Sequence, residues 1–409
     1  MSAFQIQILI ITAIGLISIT GLIQRSPQQL QHLAFPYWLL SWTAQTFSLP
    51  LALVSLLTTL TLLSQANTAN WPLIVVSLFI FSAYASLHYR SRKSYNSLTS
   101  NSPEKISIFS GLNPFKINRT TVTKIENIRY SDSSPRNVLD LYLPRANNST
   151  KDHRFTLGRP ILLYVHGGAW MTGDKASQGL TMLYHMASQG WICASINYRL
   201  APKSRFPAML HDTFTTLNWL KHNAHEHGGD TNFIAISGGS SGGHLASLAA
   251  LIGGNPDRPK EFRYADIALK AAISIYGRYD FLDQANVWGR MKPGLIRFFQ
   301  LKIMPCSPEE DPQAWKLASP TNMISKYAPP FLVVHGTHDS LIPIEEACYF
   351  VKQLKCVSKN NTSYVELKGA QHAFDILSTP VTEGLALRSA AFLEKIHHNY
   401  YASKTSHTQ

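Results

Sequence analysis

Long apolar runs dominate the first 89 residues of this 409-residue chain, where Arg25 is the only charged side chain. Uncharged, mostly apolar stretches cover residues 4–23, 35–64 and 71–88. Each is long enough, or nearly so, to cross the roughly 30 Å hydrocarbon layer of a bilayer as a helix. We therefore predict a membrane region over residues 1–90 with two to three transmembrane helices, of which three are favoured.

Short apolar runs separated by helix-length segments fill the rest of the chain, a pattern typical of α/β proteins. Strands are predicted over 123–130 and 138–143, and then near Ile161, Trp191, Phe233, Ala271, Phe331 and Tyr364. This spacing predicts a mostly parallel eight-stranded sheet flanked by helices. The implied division is a Ser-, Asn- and Lys-rich linker at 91–118, a catalytic domain at 119–398 with a lid-like insertion at about 280–326, and a polar tail at 399–409.

A glycine-rich segment, GGSSGGH from Gly238 to His244, lies between a strand-like apolar run and a helix-like run. Strand, sharp turn and helix are the context of the nucleophile elbow Gly-x-Ser-x-Gly. The turn needs small residues two positions before and after the serine, because its strained backbone brings those positions together. The pattern fits at both Ser240 and Ser241. We favour Ser240, since the helix then begins at once and Ser241 supplies the following backbone N–H.

A serine hydroxyl needs a base, and the base needs an orienting carboxylate. Asp339 follows the apolar run 331–336, and His372 follows the run 363–367. The order Ser, Asp, His, with each residue after a strand, is that of the α/β-hydrolase arrangement. Two other acids remain open: Asp280, which follows a strand, and Asp375, which we expect to be a surface or capping residue.

His166-Gly167-Gly168 ends another apolar strand-like run, 161–165. Consecutive glycines let backbone N–H groups point at a reacting carbonyl oxygen without obstruction by side chains. We predict that the N–H groups of Gly167, Gly168 and Ser241 form the oxyanion hole.

In combination, these segments resemble the α/β-hydrolase superfamily, and within it the HGG-containing carboxylesterases and lipases related to hormone-sensitive lipase. The matching segments are HGGAW from His166, NYRLAP from Asn197, the Gly238 to His244 segment, Gly336 with Asp339, and GAQHAF from Gly369. The resemblance spans about residues 125–396 and implies that Ser240 is the nucleophile. It also implies ester hydrolysis that needs no cofactor and no metal. Gly239 and Ser241 stand where many relatives carry Asp and Ala, which leaves the subfamily and the substrate open.

The insertion carries basic residues among apolar ones: Arg290, Lys292, Arg297 and Lys302. Such a segment could be a lid that rests on an anionic membrane and admits acyl chains. An ordinary helix that caps the domain is the alternative.

The formal net charge of +13 suits an anionic lipid surface, and no nucleic-acid-binding motif accompanies it. Arg25 follows the first predicted span, and Arg90, Arg92 and Lys93 follow the third. Three spans place both flanks on one side, which the positive-inside rule makes cytoplasmic. We therefore predict a multi-pass membrane protein with a cytoplasmic catalytic domain. The four cysteines lack metal spacing and fit reduced thiols.

The predicted activity is cleavage of a small-molecule or lipid ester by Ser240, His372 and Asp339 through an acyl-enzyme, with membrane lipid as a partner and no nucleic acid. An amidase or acyltransferase would use the same triad. A membrane-anchored binding protein without turnover is the alternative from another class, since a fold does not determine a function. The oligomeric state is left open.

Overall fold

The computed structural model describes residues 3–64, 71–99, 106–145, 155, 157–264 and 267–405, without the side chains of 3–10 and 404–405. The chain divides into two compact units. The first comprises Met1–Lys116, Gly336–Leu341 and Leu367–Leu385, and the second comprises Ile117–His335, Ile342–Glu366 and Ala386–Gln409. The first unit therefore contains the segments that carry Asp339 and His372 in addition to the N-terminal helices.

Five helices form most of the first unit. They are α1 (Ala3–Leu22), α2 (Pro27–Leu30), α3 (Ala34–Thr46), α4 (Ser48–Ser64) and α5 (Trp71–Leu98). Ile74, Ile80, Tyr84 and Leu87 of α5 form a buried cluster with residues of α1, α3 and α4. By length and composition α5 can cross a membrane, and α2 to α4, bent by 74° before Ser48, make a second candidate span. The described apolar part of α1, Ile11–Leu22, is shorter. Of the two to three predicted spans, length and composition thus support one or two.

The surface of this helical unit carries many apolar side chains. Among the large exposed ones are Leu57 (63%), Val75 (62%) and Phe79 (60%). Several hydroxyl side chains are buried beside the apolar cluster, and Thr59 of α4 and Ser77 of α5 hydrogen-bond through their Oγ atoms at 2.8 Å. Buried interhelical hydroxyl pairs beneath an exposed apolar surface are typical of helices packed in lipid.

The predicted linker begins later than expected, because α5 continues to Leu98. Tyr95 and Leu98 are buried, and a Cβ added to Gly384 would lie 3.1 Å from side-chain atoms of both. A buried face therefore extends the helix through a segment whose composition indicated a loop. The linker assignment was wrong for residues 91–98.

The sheet has eight strands in the order β1-β2-β4-β3-β5-β6-β7-β8. The strands are β1 (Val122–Arg129), β2 (Val138–Pro144), β3 (Arg159–Val165), β4 (Ile192–Ile196), β5 (Gly229–Gly239), β6 (Ala271–Ile275), β7 (Phe331–Gly336) and β8 (Thr362–Leu367). The pairs β1/β2 and β2/β4 are antiparallel, whereas β4/β3, β3/β5, β5/β6 and β6/β7 are parallel. The predicted mostly parallel eight-stranded sheet is confirmed. Because both faces of its central strands are covered, their sequences are continuous apolar runs.

Among the described residues after β3, the α-helices are α6 (Leu180–Ser188), α7 (Ala208–Asn223), α8 (Ser241–Gly253), α9 (Lys292–Phe298), α10 (Pro312–Leu317), α11 (Ile344–Val357) and α12 (Pro380–Thr405). The predicted polar tail is helical up to Thr405, since α12 does not end near residue 398. His397 and Tyr400 pack their rings on Phe233, with centroids 4.9 and 5.6 Å away. These aromatic contacts explain why a polar sequence continues the helix.

The insertion at 280–326 is partly helical, as expected for a long connection. It contains α9, a π-helical turn (Phe299–Ile303) and α10. Phe299, Ile303 and Trp315 are buried, while Arg297 and Lys302 are exposed. The Arg205 guanidinium donates hydrogen bonds to the carbonyls of Leu301 and Met304 at 2.9 and 3.0 Å. The insertion is therefore a packed, amphipathic cap.

Candidate active site

Ser240 occupies the sharp turn between β5 and α8. Its φ of 56° and ψ of −123° lie in a backbone region that residues other than glycine rarely adopt. A Cβ at Gly238 would lie 2.4 Å from the Gly242 carbonyl oxygen, and one at Gly242 would lie 2.0 Å from the Val165 carbonyl oxygen. Only glycine fits at either position, which is the requirement of a nucleophile elbow centred on Ser240. Ser241 is instead the first residue of α8 and only 1% exposed.

The HGG segment after β3 packs directly against this elbow. A Cβ at Gly167 would lie 3.0 Å from the Ser240 Cβ and 2.8 Å from the Gly239 carbonyl oxygen. Gly168 has a φ of 126°, and a Cβ there would lie 2.3 Å from the Thr172 carbonyl oxygen. The two motifs, more than seventy residues apart in sequence, are thus brought together as the sequence predicted.

One of the three predicted oxyanion donors differs from expectation. The Gly167 N–H already donates a 2.7 Å hydrogen bond to the Gln178 Oε1. Among the described residues, the N–H groups of Gly168 and Ser241 have no acceptor, and a first-turn N–H has none within its own helix. In the described residues the Gly168 and Ser241 N–H groups therefore remain without an acceptor, whereas the Gly167 N–H is engaged and Gly167 lets the HGG segment approach Ser240 closely.

Two buried histidines, His244 and His166, belong to the segments that form the site. Burial lowers the pKa of His244 to about 3, so the ring is neutral. Its Nδ1 accepts a hydrogen bond from the Trp170 Nε1 at 3.1 Å, and its Nε2 donates to the Ala318 carbonyl at 2.7 Å. Burial likewise lowers the pKa of His166 to about 4, and its ring stacks on Tyr198 at 4.4 Å. Both rings are therefore neutral near pH 7 and are weak bases.

Asp339 and His372 form a buried hydrogen-bonded pair in the first unit. The His372 Nδ1 and the Asp339 Oδ2 are 2.7 Å apart, and the side chains are 6% and 0% exposed. The other carboxylate oxygen accepts the Leu341 N–H at 2.9 Å. A carboxylate on Nδ1 fixes the tautomer that leaves Nε2 able to accept a proton. The predicted pairing of acid and base is therefore present.

The alternative acids have other surroundings. The Asp280 carboxylate accepts backbone N–H groups of its own loop, including that of Leu282 at 2.9 Å. Asp375 is only 2% exposed, so its assignment as a surface residue was wrong.

A buried acid hub was not anticipated from the sequence. Glu346 is fully buried, and its carboxylate accepts hydrogen bonds from Arg278 (3.1 Å), the Tyr279 N–H (2.6 Å) and the Trp288 Nε1 (3.1 Å). Burial raises the pKa of this carboxyl, and Arg278 and the N–H donors oppose that shift. Arg278 also lies over the Trp288 ring at 5.1 Å. The hub fixes the start of the insertion.

The insertion also packs on the HGG segment. Trp170 contacts Phe281 and Phe299 at ring-centroid distances of 5.3 and 6.0 Å. These contacts favour the ordinary capping role that the sequence left open beside the lid.

Comparisons with known proteins agree with this geometry. The BD-FAE family matches residues 139–354, more than half of the chain. Esterase LipC of Mycobacterium tuberculosis is 39% identical over 239 residues, covering 58% of this chain and 59% of that protein. The probable carboxylic ester hydrolase LipM of the same organism is 38% identical over 276 residues, covering 68% and 62%.

Among solved structures, esterase B from Lactobacillus rhamnosis superposes with a TM-score of 0.58 at 19% identity, covering 79% of this chain and 96% of that one. This likeness shows the fold. The chain spans about three fifths of the length of the two curated relatives. It belongs to the BD-FAE family and has the α/β-hydrolase fold of esterases.

Proposed function

We propose that this protein is a membrane-anchored serine hydrolase that cleaves carboxylic esters with Ser240 as nucleophile. The observation that carries the proposal is the left-handed turn at Ser240, set between β5 and α8 and packed against Gly167. Such a turn exposes the serine hydroxyl at the end of a strand, next to backbone N–H donors. The names of LipC and LipM, an esterase and a carboxylic ester hydrolase, support the same reaction class.

In this proposal Asp339 and His372 complete a triad with Ser240. Topology supports it, since β5, β6 and β7 are parallel neighbours. The Phe331 N–H bonds the Asn361 carbonyl and the Thr337 N–H bonds the Leu367 carbonyl, both at 3.0 Å, so β8 runs parallel to β7 as well. Active sites of parallel sheets form where chain segments leave the carboxyl ends of the strands, and all three residues follow such ends.

The reaction proceeds in two steps. His372 takes the Ser240 proton as the serine Oγ attacks the ester carbonyl, and Asp339 stabilises the imidazolium. The N–H groups of Gly168 and Ser241 bind the oxyanion, and each such donor is worth on the order of 100- to 1000-fold in rate. His372 then protonates the leaving alcohol, and water attacks the acyl-enzyme by the same route.

Membrane anchorage is proposed from the exposed apolar surface of the helical unit. Exposed Leu, Val and Phe side chains over buried Ser and Thr need a surrounding of lipid, because water would leave a large apolar surface unburied. We propose three spans: α1, the bent pair α3 and α4, and α5. Arg25 and Arg90 then flank the same side, which the positive-inside rule makes cytoplasmic.

An apolar acyl ester or a lipid ester is the proposed substrate class. A membrane anchor holds the enzyme where such esters concentrate, and the exposed Arg297 and Lys302 of the cap suit an anionic surface.

The nucleophile is tested with chromogenic esters from acetyl to palmitoyl, hydrolysed by the full chain in detergent. Ser240→Ala should lower kcat by up to about a million-fold. Ser241→Ala keeps the backbone N–H and the helix and should lower it by less than about tenfold. Labelling by a fluorophosphonate should follow the same pattern. Activity that survives Ser240→Ala but not Ser241→Ala would reassign the nucleophile, and a wild-type protein that neither turns over nor labels would refute the hydrolase proposal.

The orientation is tested through Cys356, which is exposed on α11. In a variant that retains only this cysteine, a membrane-impermeant maleimide should label permeabilised cells and leave intact cells unlabelled. Labelling of intact cells would place the catalytic domain on the outer side.

A further inference from the structure

Helix α3 holds the backbone of the segment that carries His372. The Trp38 Nε1 donates to the His372 carbonyl and the Trp42 Nε1 donates to the Ala373 carbonyl, both at 2.9 Å. The Gln45 Oε1 accepts the Gln371 N–H, also at 2.9 Å. Trp38, Trp42 and Gln45 are spaced i, i+4 and i+7, so they share one face of the helix. One helix face thus binds three consecutive backbone positions centred on His372.

The segment that α3 holds is strained and lies beyond the sheet. Ala373 has a φ of 66°, which an alanine rarely adopts unless its surroundings impose it. The Gln371 Oε1 accepts the N–H of Ser340 at 2.8 Å and that of His372 at 2.9 Å. The Gln371 side-chain amide therefore links Ser340, the residue after Asp339, to His372. Gln45 binds the backbone N–H of the same Gln371.

Other side chains of α3 are apolar and exposed. Phe35 is 61% exposed, Leu39 46% and Leu40 42%. A single helix therefore presents apolar side chains outward and hydrogen-bonding side chains toward the His372 segment. A helix that served only as an anchor would not need the hydrogen-bonding face formed by Trp38, Trp42 and Gln45.

We propose that α3 is a positioning element for His372, acting through Trp38, Trp42 and Gln45; this rests on the proposed function of His372 as the catalytic base. The three side chains fix the backbone from which the imidazole projects, while Asp339 fixes the ring. Without these three side chains the strained segment relaxes, and the His372 imidazole loses its alignment with the Ser240 hydroxyl. A displacement of about 1 Å at a catalytic group typically lowers the rate on the order of 100-fold.

The test uses the full chain in detergent with a short-chain chromogenic ester. Trp38→Phe combined with Trp42→Phe keeps two aromatic rings and removes both N–H donors, and Gln45→Met keeps the length and removes the acceptor. Trp71→Phe is the matched control, because Trp71 is a half-exposed tryptophan of the same helical unit. Active sites are counted by fluorophosphonate labelling carried to completion, so that kcat is expressed per labelled serine.

The double variant should lower kcat per labelled serine by about 10- to 100-fold with KM changed by less than about threefold. Gln45→Met should act in the same direction, and Trp71→Phe should match the wild type. A merely structural role would reduce the number of labelled serines and leave kcat per labelled serine unchanged, which would overturn the proposal.

Three further outcomes are distinguishable. If the double variant does not fold, Gln45→Met and the single Trp42→Phe are measured against the same criterion. If Ser240→Ala is as active as the wild type, the proposed function fails, whatever the α3 variants do. If only Ser240→Ala loses activity, Ser240 stands as the nucleophile and the positioning role of α3 is refuted.

Discussion

Replacing Gly167 by alanine tests whether the HGG segment must approach the elbow as closely as the structure shows. The added Cβ would lie 2.8 Å from the Gly239 carbonyl oxygen and 3.0 Å from the Ser240 Cβ, against an ordinary contact of at least 3.4 Å. The φ of Gly167 lies outside the left-handed region, so the backbone itself accepts alanine. The effect of the substitution therefore comes from these contacts and from a third, at 3.1 Å, with the Gln178 Oε1.

The size of the effect follows from what can move. Gly239 is the last residue of β5 and pairs with Ile275 of β6, so its carbonyl is held by the sheet. The overlap is 0.6 Å with the Gly239 oxygen and 0.4 Å with the Ser240 Cβ, so the HGG segment and Ser240 must move apart by about half an ångström. Shifts of this order at a nucleophile lower the rate by about 10- to 100-fold. Overpacking lowers the free energy of unfolding by about 1–3 kcal/mol, which leaves the domain folded at 25 °C.

The assay is kcat per fluorophosphonate-labelled serine for Gly167→Ala, beside the thermal midpoint. Gly294→Ala is the matched control, because Gly294 lies within α9 and a Cβ there meets no atom within 4 Å. It should keep kcat and stabilise the protein by up to about 1 kcal/mol. If Gly167→Ala is folded and keeps kcat within about twofold of the wild type, the close approach of the two motifs has no part in catalysis and the reasoning is refuted.

Three other substitutions probe the parts around the site. Burial lowers the pKa of His244 to about 3, from the value of 6.5 expected in the unfolded chain. Below pH 6.5 the unfolded chain therefore binds a proton that the folded chain does not. This difference should lower the free energy of unfolding by about 2 kcal/mol between pH 6.5 and 5. In His244→Gln, the free energy of unfolding obtained from thermal melts should lose this pH dependence, about 2 kcal/mol between pH 6.5 and 5. A pH dependence equal to that of the wild type would refute the neutral, buried state of His244. Glu346→Ala leaves a buried guanidinium uncompensated and should lower the free energy of unfolding by about 3–5 kcal/mol in denaturant titrations; a loss under 1 kcal/mol would contradict the hub. Thr59→Val removes the hydrogen bond to Ser77 and should weaken the helical unit by about 0.6–1.7 kcal/mol in a steric-trapping measurement, whereas Thr61→Val on the exposed face should not.

The sheet and the elbow were predictable because their signals are local. Residues 161–165 and 331–336 are continuous apolar runs, since both faces of a central strand are buried. Gly238 and Gly242 flank Ser240 because the turn brings them into contact, so the spacing itself encodes the geometry. Each of these features is determined within about ten residues of sequence.

The features that were missed depend on contacts between distant segments. The acceptor of the Gly167 N–H is a side chain in the following loop, and the donors to Glu346 lie more than fifty residues before it. Helix α5 extends past its apolar stretch because Tyr95 and Leu98 find a buried surface. Composition alone could not reveal that surface.

The proposed role of α3 in positioning His372 has a signal in the sequence that was not recognised. Trp38, Trp42 and Gln45 place three hydrogen-bonding side chains on one face of a helix that is otherwise rich in apolar residues. In lipid, such groups stay on a face only when protein partners satisfy them. The partners here are the backbone groups of residues 371–373. If the outer surface of these helices faces lipid, as proposed, the polar side chains of α3 need a fixed protein partner, and in this chain that partner is the segment of the proposed catalytic base.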